Sequence, residues 1–235
     1  MIRVENISKR YKGDLVLECI NWEIEDDAFV ILTGRSGGGK TTLLSIMGGL
    51  AKPDEGRVLI DGDDIWQLPE PELAVLRNRK LGFVFQFPSL IPTLSMLDNV
   101  LLPIAFSGVP PALQDRDRVR TLLEKVGLQD KEHLYPSQLS GGQQRRVAIA
   151  RALVNSPSII LTDEPTGDLD ERTEDEIMRL FKEISDQGTT VVMVTHALNY
   201  VKLSGATYTL KHGRLLPYEE DEVAPDVAAS RRRIS

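Results

Sequence analysis

The string Gly34-Arg35-Ser36-Gly37-Gly38-Gly39-Lys40-Thr41 has residue types and spacing suited to holding a polyphosphate. It fits the pattern G-x-x-x-x-G-K-[ST]. Its glycines let successive backbone N–H groups turn inward around phosphate oxygens, Lys40 reaches the terminal phosphates, and the Thr41 hydroxyl is placed for Mg²⁺. Ahead of it, Ala28-Phe29-Val30-Ile31-Leu32 predicts a short buried strand, and behind it Leu43, Ile46, Met47 and Leu50 have helical spacing. The loop therefore feeds a helix N-terminus, where unpaired N–H groups and the helix dipole favour an anion. An accidental glycine-rich turn would not need that strand and helix.

Five further sites have chemistry at the end of a predicted element. Ser158-Ile159-Ile160-Leu161-Thr162 reads as a buried strand delivering Asp163 and Glu164. Beside a phosphate loop, Asp163 is placed to hold Mg²⁺ and Glu164 to polarise an attacking water as general base; a solvated acidic turn would not need the apolar strand. Leu81-Gly82-Phe83-Val84-Phe85 reads as a second buried strand, central in the sheet, ending at Gln86. The Gln86 amide is either a metal ligand and water-orienting group or a polar strand cap. Residues 189–194 form another buried strand, closed by Thr195 and His196, and His196 either meets a γ-phosphate or simply caps. Leu139-Ser140-Gly141-Gly142-Gln143 precedes a helix bearing Val147, Ala150, Leu153 and Val154. It is either a second anion site or a serine N-cap with flexible glycines. Tyr11, at a strand end, is a stacking face for a purine or an ordinary half-exposed tyrosine.

The elements that must position these residues follow from periodicity. Residues 2–7, 16–24 and 28–32 are β-rich, residues 58–60 form a short strand, and residues 71–78 a brief helix. From 87 to about 155 the pattern is helical: Leu97, Val100, Leu101 and Ile104 form a stripe that Pro103 should kink or break. Val119, Leu122, Leu123 and Val126 form a second stripe, stopped by Gly127. A helical excursion between buried strands reads as an inserted subdomain in an α/β chain. Asp170, Glu171, Glu174 and Asp175 crowd the start of a last helix carrying Ile177, Leu180, Phe181 and Ile184, where they complement its dipole. Residues 217–235, with an acidic run and Arg231-Arg232-Arg233, read as a solvated, poorly ordered tail.

Composition narrows the function classes. The chain has 235 residues, 41% of them hydrophobic, enough for one large domain or a domain with a subdomain. A net charge of −7 gives no reason to expect nucleic acid as a partner. The single cysteine, Cys19, is expected as a buried structural thiol. No leader is expected before the first strand-like residues and no apolar run approaches the ~18 residues a membrane helix needs, so any membrane role is expected to pass through a partner.

Taken in order, Tyr11, the phosphate loop, Gln86, Leu139-Ser140-Gly141-Gly142-Gln143, Asp163-Glu164, Asp168-Leu169-Asp170 and His196 resemble the ATP-binding cassette (ABC) ATPase family over about residues 1–216. The resemblance implies a P-loop NTPase core with a mainly parallel sheet, an N-terminal antiparallel β subdomain and the helical insert at about 87–155. It implies ATP and Mg²⁺ as ligands, with Thr41, Gln86 and Asp163 on the metal and Glu164, His196 and Gln86 in catalysis. Nucleotide contacts would come from Tyr11, residues 34–41 and Thr42. In this family two cassettes pack head to tail, so Ser140, Gly141, Gly142 and Gln143 would bind the nucleotide of a second copy. Asp168 and Asp170 would bridge that interface. An integral membrane permease would dock on the helical part, expected at residues 90–104, holding the cassette at the cytoplasmic face of the inner membrane. Within the family, the strings at 76–86, 139–153 and 163–170 are similar to the branch serving lipoprotein release, macrolide-type export and cell division. A regulatory, non-transport role like that of the cell-division cassette is the alternative. Thr41, Thr162, Asp168 and Ala197 depart from the commoner residues of that branch.

Overall fold

The computed structural model describes residues 1–107 and 111–219. The tail expected at 217–235 therefore lies, from 220 onward, outside the described residues. β1 (Ile2–Tyr11) and β2 (Asp14–Ile24) form a hairpin, and β3 (Phe29–Thr33) runs into the glycine loop and α1 (Lys40–Met47). β4 (Glu55–Ile60), the two-residue β5 (Asp63–Asp64), α2 (Glu70–Lys80) and β6 (Leu81–Val84) follow. Three helices come next: α3 (Met96–Ala105), α4 (Leu113–Lys125) and α5 (Gly141–Leu153). β7 (Ile159–Asp163), α6 (Glu171–Asp186), β8 (Thr190–Val194), β9 (Ala206–Lys211) and β10 (Arg214–Pro217) follow within the described residues.

Two sheets result. The antiparallel sheet has order β2-β1-β4-β5, and the six-stranded sheet has order β10-β9-β3-β8-β7-β6. In the larger sheet β9, β3, β8, β7 and β6 are parallel, with β10 antiparallel at one edge. This is the α/β arrangement expected, with an antiparallel sheet at the N-terminus. Its central strands are apolar throughout because both faces are covered. Alternation assigns the faces: Val30 and Leu32 of β3 join Leu43 and Ile46 of α1 and Ile2 and Val4 of β1 in one core. Phe29 and Ile31 point the other way, into a core with Phe181 and Ile184 of α6 and with Val100 and Val147 of α3 and α5. Burial of a side chain such as Phe181, fully enclosed, stabilises by roughly 1.5–3 kcal/mol.

Several expectations change. β6 is an edge strand, not a central one, because strand order cannot be read from chain order. Cys19 is exposed, not buried. The β1–β2 register slips between the Ile7–Ile20 and Lys9–Leu17 pairs, inserting one residue into β2, and Cys19 takes a left-handed φ of 47°. Ile20 and Leu17 can then both face inward while the thiol turns out. Leu50 falls beyond the end of α1 and is half exposed. α3 carries through Pro103 and ends two residues later at Ala105, and the Pro103 carbonyl accepts from Asn78 Nδ2 at 2.8 Å. β9 and β10 were not anticipated. They read as alternating Ala206, Tyr208 and Leu210 against Thr207 and Thr209, with a turn at Gly213. Pro217 still pairs with Tyr208, and Tyr218 N–H donates to Thr207 O, so the described chain stays ordered just past residue 216.

Candidate nucleotide site

Four neighbouring parallel strands end at one rim of the larger sheet. β3 delivers the glycine loop, β8 delivers Thr195 and His196, β7 delivers Asp163 and Glu164, and β6 delivers Gln86. This rim is where open α/β sheets bind ligands. A cleft of about 500 Å³ lies here, lined by Tyr11, Val16, residues 36–42, Gln86, Asp163, Glu164, Gly167 and His196.

The loop's shape depends on two glycines in particular. Gly34 has φ 141°, and a Cβ there would sit 2.4 Å from Leu210 O. Gly39 has φ 96° and lies against Val16 and Leu17 of β2. No side chain caps α1, so its first N–H groups are left for a ligand. Lys40 is 6% exposed, and its Nζ donates to Gly34 O at 2.8 Å and Arg35 O at 3.1 Å. Burial lowers the Lys40 pKa, while Glu164 and Asp163 oppose that shift. A desolvated ammonium held in the mouth of the loop is a strong site for phosphate oxygens.

The oxygen donors converge beside it. Thr41 Oγ1 donates to Asp163 Oδ2 at 2.7 Å, and Gln86 lies across the cleft with its amide near Gly167. A hydroxyl, a carboxylate and an amide oxygen suit Mg²⁺, a hard cation that takes one or two protein carboxylates plus substrate phosphates. Among the described residues, no cluster of three or more His, Cys, Asp and Glu is placed to hold a metal alone. The donor set fits a hard cation that also takes phosphate oxygens.

Glu164 follows directly, at φ 47°, its N–H bonded to Val194 O at 2.9 Å. His196 N–H donates to Glu164 Oε2 at 3.3 Å, and His196 Nε2 lies 3.2 Å from Oε1 without hydrogen-bond alignment. Burial raises the Glu164 pKa; His196 and Lys40 pull it down and Asp163 adds to the rise. A carboxylate tuned upward is a better proton acceptor near neutral pH. The same shift sets a stability effect. The unfolded carboxyl ionises near 4.5 and the folded one later, so stability falls as pH rises between the two. Glu164→Gln is therefore expected to melt higher than the parent at neutral pH, with the gap closing below the ordinary carboxyl range. Thermal melts of both forms across pH check this, and a lower neutral-pH melting temperature in the variant would contradict it.

Tyr11 is 47% exposed and lines the cleft, with Lys9 Nζ 5.5 Å from its ring centre. Arg35 is exposed on the loop. Ser140 is the N-cap of α5: its Oγ accepts from Gln143 N–H at 3.3 Å, and its N–H donates to Gln143 Oε1 at 3.0 Å. Ser140, Gly141, Gly142 and Gln143 do not line the cleft formed by their own phosphate loop. They lie instead at the start of α6, with Gly141 near Leu169 and Gly142 against Thr173. Asp170 caps α6 by accepting from Thr173 N–H at 3.0 Å, and Asp168 stands exposed with φ 65°.

Two supports were missed. Glu174 accepts from Thr166 Oγ1 at 2.8 Å, and its neighbour Asp175 accepts from Tyr200 Oη. One turn of α6 thus holds both the segment after Glu164 and the turn after His196. Arg145 is 4% exposed and donates to Phe85 O and Gln86 O. Its place among Ala148, Ile149 and Ala152 at i+3, i+4 and i+7 was the available signal.

A buried ammonium and hard oxygen donors beneath a glycine loop define a P-loop nucleotide-binding protein. The family model described as "ABC transporter" matches residues 17–167. The lipoprotein-releasing system ATP-binding protein LolD of Aquifex aeolicus is 44% identical over 216 residues, covering 92% of this chain and 96% of that protein. The macrolide export ATP-binding/permease protein MacB of Syntrophobacter fumaroxidans is 41% identical over 92% of this chain, which spans only 31% of that longer protein. Among solved structures, a dimeric post-hydrolysis ATP-binding cassette bound to ADP and Pi is similar at TM-score 0.84 and 42% identity, covering 92% of this chain and 96% of that one. The chain belongs to the ABC transporter family, as its ATP-binding, ATP-hydrolysing component. Among the described residues, no helix is long and apolar enough to cross a membrane.

Proposed function

We propose that this chain powers a separate membrane permease of the lipoprotein-release or macrolide-export kind, from the cytoplasmic face of the inner membrane, by pairing with a second copy around ATP. The observation that carries this is the separation of two anion sites: the phosphate loop and the N-terminus of α5 do not share a cleft within one chain. A second copy in head-to-tail contact would bring Ser140, Gly141, Gly142 and Gln143 to the nucleotide held by Tyr11, residues 34–41 and Thr42. Asp168 and Asp170, beside Gly141, would then lie in the interface. Residues 1–216 serve as the cassette, with about 87–155 as its helical part. The relatives' names favour transport over the regulatory alternative.

In this reading Lys40 and the loop N–H groups bind and orient the β and γ phosphates of ATP. Thr41, Gln86 and Asp163 hold Mg²⁺, which neutralises phosphate charge when bound. Glu164 accepts a proton from the attacking water, and His196 holds Glu164 and meets the γ-phosphate. Hydrolysis removes the charge shared between the copies, and the pair relaxes.

The permease surface expected at 90–104 extends through Leu102 and Pro103 into a groove beside it. That groove is about 580 Å³, lined by Phe83, Phe85, Leu102, Pro103, Phe106 and Val75 beside Arg77 and Arg79. Phe106 is 77% exposed and Val75 51%, and clustered exposed apolar side chains of this kind mark partner contacts. Val75→Asp is expected to keep basal ATP hydrolysis and to lose at least about tenfold in affinity for the membrane partner. Co-purification and ATPase assays with the membrane partner check this; undiminished binding would move the docking surface elsewhere.

A further inference from the structure

We infer that Arg145 and Arg151 are positioning residues that set Gln86 in the nucleotide site and tie it to the helix headed by Ser140. β6 lies at the edge of the sheet, so the segment leaving it has no strand beyond to hold its backbone. α5 supplies the hold instead. Arg145 Nη1 donates to Phe85 O at 2.7 Å and also to Gln86 O. Six residues along, Arg151 donates from Nη2 to Pro88 O at 2.8 Å and from Nη1 to Ser89 O at 2.9 Å. Four carbonyls within five residues are thus gripped by one helix, over about 9 Å of its axis.

The arrangement is costly enough to require a return. Both guanidinium groups are desolvated, which lowers their pKa, and Arg145 regains some favour for its charge from Asp168. The Arg145 Nε–H is buried without an acceptor. Arg151 spans Ser89 O and Pro88 O with both arms of its planar fork, which lysine lacks, while Arg145 makes both of its bonds from Nη1. Arg145 also stands between three segments with chemistry: Gln86, the α5 N-terminus four residues upstream, and Asp168. A shift of α5, driven at its N-terminus, is therefore delivered to Gln86 as a rigid displacement.

This inference rests on the reading of Gln86 as a metal ligand, and the test separates the two. Arg145→Met removes the donor at similar side-chain bulk, Arg151→Lys keeps the charge and loses the fork, and Gln86→Ala is the reference. Three quantities are read: the melting temperature, the Mg²⁺ concentration for half-maximal ATP hydrolysis, and hydrogen exchange of the 85–89 segment in nucleotide-free protein. Both arginine variants should raise the half-saturating Mg²⁺ about tenfold or more, as outer-sphere support typically does, and speed exchange in the segment. Gln86→Ala should raise the Mg²⁺ requirement without speeding exchange in the 85–89 segment. A melting-temperature loss with Mg²⁺ demand and exchange both unchanged would make the arginines packing elements only and overturn the inference. If Gln86→Ala leaves Mg²⁺ demand unchanged, the metal reading of Gln86 fails and the inference falls with it. If Gln86→Ala raises demand but neither arginine variant does, only the inference falls.

Discussion

Glu164→Gln is expected to bind ATP as the parent does and to turn it over about 10²–10⁴-fold more slowly, the usual contribution of a general base. The substitution keeps the shape of the side chain and its hydrogen-bond reach to His196 N–H. It leaves Lys40, Thr41 and Asp163 in place, so phosphate and Mg²⁺ contacts persist. What goes is the proton acceptor, whose basicity burial has raised. Because hydrolysis releases the pair in this scheme, the variant should also accumulate as a nucleotide-bound dimer. Single-turnover hydrolysis and retention of labelled ATP measure the two halves. A turnover within a few-fold of the parent would remove Glu164 from its role.

Gly141→Asp attacks the other half of the grip, and its structure makes it a clean test. A Cβ at Gly141 meets only Leu169 Cδ2, at 3.8 Å, so the side chain has room. At the first turn of α5 an aspartate even complements the helix dipole by roughly 0.3–1 kcal/mol. The chain should fold at least as well as the parent. Gly142 offers no such test, since a Cβ there would lie 2.6 Å from Thr173 Cγ2. The new carboxylate would stand where the second copy's γ-phosphate is expected, and two anions at hydrogen-bond distance repel by several kcal/mol once partly desolvated. ATP binding to the single chain should survive while steady-state hydrolysis falls at least about 10²-fold, a loss of roughly 2.7 kcal/mol or more in transition-state stabilisation. Equilibrium nucleotide binding and ATPase rates check this; normal hydrolysis would mean that Gly141 never meets a phosphate.

Much of this site was legible because its residues end apolar strands. Ile159–Asp163 and Thr190–Val194 fall within a residue of the segments read from sequence, and both deliver their polar residues to one rim. The glycine loop was equally plain, since Gly34 and Gly39 take backbone conformations that other residues adopt only with strain. Less legible was what depends on strand order. Gln86 reads as the end of a central strand, yet β6 is an edge, and only that fact explains why arginines must hold the segment. Cys19 is expected as a buried thiol, yet alternation from Ile20, Trp22 and Ile24 turns it outward, and the bulge that pairing with β1 creates lets Leu17 still face in. The bond from Tyr200 to Asp175 joins residues 25 apart with no local pattern to announce it. Long-range polar contacts of this kind are fixed by topology, which the linear pattern carries only in part.

The central claim is that each copy holds half of the grip on ATP, and light scattering on the Glu164→Gln variant tests it most directly. With Mg²⁺ and ATP the particle should reach twice the monomer mass, and it should return to monomer when Gly141→Asp is added to the same chain. A Glu164→Gln protein saturated with ATP and Mg²⁺ that stays monomeric at every concentration would contradict the account.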